Sequence, residues 1–78
     1  MPTVLRIGPY RFHFNSREGN EPPHILDARD DYEAKFWLQP IALAANHGFG
    51  DAELRKIRTH VEEHCQELTD AYQRLHGR

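Results

Sequence analysis

Seventy-eight residues make one domain near the lower end of what folds without staples, because a short chain buries a smaller share of its surface. A formal net charge of −2 and a pI near 6.3 give no global positive field that would draw the chain to nucleic acid. The single cysteine, Cys65, excludes an internal disulfide and a thiolate-rich structural zinc site and fits a reducing interior, so a cytoplasmic protein is expected.

The opening residues Met1 to Arg6 carry no basic segment followed by a long apolar run, and nowhere do about 18 apolar residues follow one another. Neither a signal peptide nor a membrane span is expected. Val4 to Ile7 is short and apolar, Gly8-Pro9 breaks it, and Tyr10 to Asn15 alternates apolar and polar with period two. These segments predict two strands of a hairpin. Residues 15–23 hold Gly19, Asn20 and two prolines and predict a loop. His24 to Ala28 reads as a third strand, Arg29-Asp30-Asp31 as a tight turn, and Glu33 to Gln39 as a fourth strand ended by Pro40. Residues 1–40 thus form an antiparallel β-meander. Residues 41–47 predict a short helical turn with Gly48 as its stop.

After Gly50 the period changes. Asp51 is a suitable N-cap, Glu53 suits the positive end of the helix dipole, and Leu54, Ile57, Val61, Cys65, Leu68, Tyr72 and Leu75 recur at threes and fours. One long amphipathic helix is expected over residues 51–76, packed on one face of the sheet. The fold class is therefore α+β: a four-stranded antiparallel meander, a short helical turn and one long C-terminal helix. Such a helix would be on the order of 37 Å long, against roughly 20 Å for six-residue strands. Leu68, Tyr72 and Leu75 would then overhang the sheet as a wet apolar stripe, which predicts a homo-oligomer or a second protein over them; the alternative is that the helix frays or bends back over the sheet.

Within that helix, His60, Glu63 and His64 spell the H-x-x-E-H pattern of inverted zinc peptidases. A catalytic zinc also needs a third protein ligand and an open position, and a peptidase needs a cleft for an extended substrate. Beyond His64 only Glu67, Asp70 and His76 follow on the same helix. The peptidase reading is rejected, and no metal or other cofactor is expected.

The sheet carries the stronger clue. Tyr10, Phe12 and Phe14 share one face of the second strand, and Ala34, Phe36 and Leu38 one face of the fourth. The opposite face collects Arg11, His13, Lys35 and Trp37. A large aromatic among cations anchors a protein partner or stacks on a base, where tryptophan and arginine are over-represented among energetic hot spots. The alternative is that Trp37 packs beneath the 15–23 loop. His13 and His24 would be the acid and base of an endoribonuclease working without a metal.

Three segments, "VLRIGPYRFHFNSREGNEPPHI", "EAKFWLQP" and "GFGDAELRKIRTHVEEH", together resemble DUF4160, small bacterial proteins that form a domain of unknown function. The likeness spans nearly the whole chain in motif order. It implies a small bacterial module working with a second protein, as in a toxin–antitoxin-like pair, and no established reaction. Family members frequently place a second histidine two positions after the Pro-Pro-His histidine, whereas this chain has Leu26 there. Arg11, Arg17, His24, Lys35 and Trp37 stand at motif positions without assigned roles. The expected function is a non-enzymatic interaction module binding through Arg11, His13, Arg17, His24, Lys35 and Trp37, with RNA binding or RNA cleavage as the alternative.

Overall fold

The computed structural model describes residues 3–14 and 21–75. Five strands and two helices follow one another: β1 (Thr3–Ile7), β2 (Tyr10–His13), β3 (His24–Arg29), β4 (Tyr32–Leu38), β5 (Ile41–His47), α1 (Asp51–Glu63) and α2 (Cys65–Leu75). The strands form one antiparallel sheet in the order β1-β2-β3-β4-β5, so each pairs with its chain neighbour. Two residues join β1 to β2, β3 to β4 and β4 to β5, which keeps these pairings cheap in loop-closure entropy. Gly8 takes φ of 56° between β1 and β2, and Asp30 takes φ of 55° between β3 and β4; that left-handed region admits glycine freely and aspartate among the few other residue types.

The α+β class is as expected, with two corrections. Residues 41–47 are a strand and not a helical turn. Ile41 opposes Leu38, Ala42 opposes Trp37 and Leu43 opposes Phe36, so this segment extends β4's two faces and adds a fifth strand. The second correction is that the long helix is two. At His64 the backbone leaves the helical region (φ −116°, ψ 18°), and its N–H donates to the carbonyls of both His60 and Val61. Helix α2 then restarts, with Leu68 N–H bonding to the His64 carbonyl at 2.9 Å.

That one-residue break lets α1 lie over β4 and β5 while α2 lies over β3 and β4. Leu68 and Tyr72 are buried, at 1% and 5% exposure, instead of overhanging the sheet. Of the predicted partner-contact stripe, only Leu75 stays exposed. The core beneath the helices is Phe12, Phe14, Ile25, Phe36, Leu38, Ile57, Val61 and Leu68, with Tyr10, Phe49 and Tyr72 closing its ends.

Two local devices fix the approach of α1. The Asn46 side chain donates to the Phe49 carbonyl and accepts from the Phe49 N–H, at 2.9 and 3.1 Å, tying the end of β5 to the start of the helix. Between them Gly48 has φ of 109°, and a Cβ there would stand 2.4 Å from Cδ1 of Tyr32. Only glycine fits both the dihedral and the space. No helix among the described residues is long and apolar enough to cross a membrane.

Candidate interaction surfaces

The helix-free face of the sheet is built by strand register. One row across it runs Arg6, Arg11, Ala28, Glu33, His47; the next runs His13, Leu26, Lys35, Ala45; a third runs His24, Trp37, Ala42. Arg11, His13, Lys35 and Trp37 therefore do share a face, as the alternation of β2 and β4 implies. Arg17 lies outside the described residues.

These side chains divide into two groups. Lys35 reaches Glu21 in an ion pair and stands 4.9 Å from the Trp37 ring centroid, a cation–π contact. Trp37 meets His24 edge-on at 5.8 Å, and His24 meets Tyr72 at 5.7 Å. His24 is fully buried, with Nδ1 2.9 Å from the Pro22 carbonyl oxygen. The Pro23 carbonyl accepts from Leu38 N–H, and the Glu21 carbonyl accepts from the Tyr72 hydroxyl, both at 3.0 Å. Lys35, Trp37 and His24 thus pin residues 21–23 to β4 and α2. For these three, packing against the returning chain is what the geometry shows.

The second group, Arg6, Arg11 and His13, lies on β1 and β2. Arg6 and Arg11 are exposed directly opposite each other, and neither has an ion-pair partner among the described residues. Like charges across a ladder repel, by a few tenths of a kcal/mol up to about 1. His13 is mostly covered, with Nε2 3.6 Å from Glu33 Oε2. Burial holds its pKa below the ordinary histidine value and the Arg11 charge adds to that, while Glu33 pulls the other way.

On the helix side, two features carry no sequence expectation. The first is a charge cluster: Glu53 accepts from Arg29 Nε at 2.5 Å and Nη2 at 2.8 Å, and from the Tyr10 hydroxyl at 2.9 Å. Bidentate guanidinium binding holds the Glu53 carboxyl below its ordinary range. Behind it Asp27 is completely buried between Phe12 and Ala34, and neither of its oxygens has a hydrogen-bond partner among the described residues. Burial, with the Glu53 charge adding, raises the Asp27 pKa to about 7 against a smaller opposing pull from Arg29. The second feature is the outer edge of β5. Its seven residues, Ile41 to His47, contain no Lys, Arg, Asp, Glu or Pro, and Leu43 is 44% exposed. Beside it opens a groove of about 250 Å³ lined by Phe36, Leu43, Asp51, Leu54, Arg55 and Arg58.

The H-x-x-E-H stretch serves the helix break. His64 Nδ1 lies 2.9 Å from the His60 carbonyl oxygen, and His60 Nδ1 is 3.8 Å from Glu63 Oε1.

A family model described as Domain of unknown function (DUF4160) matches residues 10–73. No curated protein and no solved structure matches the chain.

Proposed function

The chain belongs to the DUF4160 family, and because that family is a domain of unknown function, we propose a role from geometry: a non-enzymatic protein-interaction module, one component of a bacterial toxin–antitoxin-like pair. The observation that carries this reading is β5, a seven-residue strand without formal charge or proline at the end of the sheet, with Leu43 in water. Exposed edge strands template pairing with another chain, and proteins that do not use them guard them with charge or proline. The burial of His24 adds support, since it removes from the surface one of the two histidines that RNA cleavage would need.

The test is co-expression with the product of the adjacent reading frame, followed by native mass measurement of the purified material. A stoichiometric heteromeric complex is expected. Absence of a complex, together with RNA cleavage by the isolated chain that His13→Ala abolishes, overturns the reading. RNA binding is the second reading, favoured by the exposed Arg6 and Arg11 beside His13, which have no ion-pair partner among the described residues. It requires affinity that falls steeply with salt as phosphate contacts release counterions, and loses that dependence in Arg6→Ala/Arg11→Ala.

A further inference from the structure

The two free edges of the sheet are not equivalent. Strand β1 carries Arg6 and an irregular register between Thr3 and Leu5, both of which discourage pairing. Strand β5 has no charged residue, and its own irregularity, opposite Lys35 and Phe36, leaves Ile41–Leu43 and Ala45–His47 as two regular stretches. The first of these stretches borders the groove. With about 250 Å³ of space over Phe36, Leu43 and Leu54, it is smaller than a cofactor or drug-sized pocket, which begins at about 300 Å³. It suits one large side chain of an added strand.

Charge at the mouth says more about the occupant, since two arginines, Arg55 and Arg58, stand there against one carboxylate, Asp51. Arg55 is exposed and has no ion-pair partner among the described residues. Arg58 divides its guanidinium between Glu62 and the Ile41 carbonyl, at 3.3 Å each. That carbonyl sits at the start of β5, so Arg58 occupies one acceptor that an incoming strand would use. An added strand presents alternate residues to one face. An apolar residue in the groove would therefore place the residue two positions away on the same face, within reach of Arg55 and Arg58. The β5 edge of a second copy supplies no such group, because Ile41 to His47 contains no carboxylate.

We propose that the β5 edge and the adjoining Phe36–Leu43–Leu54 groove take up an extended segment of a different protein by strand addition, with an apolar side chain in the groove and an acidic one on Arg55. This deepens the interaction-module reading and rests on it.

The probe is an acetylated seven-residue peptide of Thr with one Phe and one Glu two positions apart, titrated to about 1 mM into the full chain, a range that captures even millimolar affinity. Backbone amide spectra and hydrogen exchange give the readout. Slowed exchange at Ala42 to Ala45, with shifts at Leu43 and Arg55, is expected. Replacing the peptide's Glu by Lys should weaken binding roughly tenfold, and Arg55→Glu in the protein should restore the Lys peptide. No binding at that concentration, equal binding of both peptides, shifts confined to the Arg6 and Arg11 face, or self-association of the chain through β5 each overturns the proposal. The heteromeric complex separates this failure from that of the broader reading. A complex that forms at full strength with Leu43→Lys and Arg55→Glu keeps the module and rejects strand addition, whereas no complex with the unaltered chain rejects the module.

Discussion

Asp27 and Gly48 show how single positions are constrained from opposite directions, one by charge and one by space. For Asp27 the folded pKa of about 7 lies well above the ordinary aspartate value of 3.8. The folded state therefore binds the proton more tightly, and the contribution of this group falls as pH rises from about 4 to about 7, on the order of 4 kcal/mol if no other group compensates. Asp27→Asn should flatten that part of the stability profile and leave the variant more stable than the parent at pH 8, measured as the urea midpoint across pH 4 to 8. Glu53 works in the opposite sense. Its carboxyl is held low by Arg29, so its contribution is present above the ordinary glutamate range and disappears on acidification. For Gly48, φ of 109° and the clash that a Cβ would make with the Tyr32 ring predict that Gly48→Ala destabilises by about 2 kcal/mol or more, read from the same urea transitions. Neither constraint is legible in the sequence: Gly48 reads there as a helix stop, and Asp27 as a polar residue in an ordinary strand.

At the scale of elements, the residues that announce themselves are those with a clean period. Tyr10, Phe12 and Phe14 predict a face of β2, and Ala34, Phe36 and Leu38 a face of β4, and both faces are buried. Ile41 to His47 misleads because alanine and leucine favour helices and one of its edges has no strand beside it, so no strict alternation survives. The helix break is silent for a different reason. Leu54, Ile57, Val61, Leu68 and Tyr72 keep their spacing through His64, and neither glycine nor proline marks the interruption, which is one residue of backbone relieved by two shared carbonyls. Leu68→Ala separates the two pictures. A side chain overhanging into water would cost almost nothing to remove, whereas the observed 1% exposure predicts a loss of about 2 to 5 kcal/mol, measured by chemical denaturation. On the helix-free face, the alternation correctly brings Arg11, His13, Lys35 and Trp37 together. It does not reveal that Glu21 and His24 engage Lys35 and Trp37, because those contacts come from a segment whose return path only the fold defines.

For the molecule as a whole, the radius of gyration is 11.5 Å and the longest axis 34 Å. A compact domain of this length has a radius of about 11.5 Å, and a single rod over residues 51–76 would exceed that axis. The chain thus closes its own core, so its unfolding midpoint should not move with protein concentration in the micromolar range, and a concentration-dependent midpoint would reveal coupled assembly. That core is completed late. The hydroxyl of Tyr72 reaches the Glu21 carbonyl across 51 positions of sequence, and the same ring covers Phe14 and His24. During synthesis the aromatic floor under α2 stays bare until Tyr72 has been added, so a polypeptide stalled or clipped near His64 offers quality-control proteases a wet Phe14.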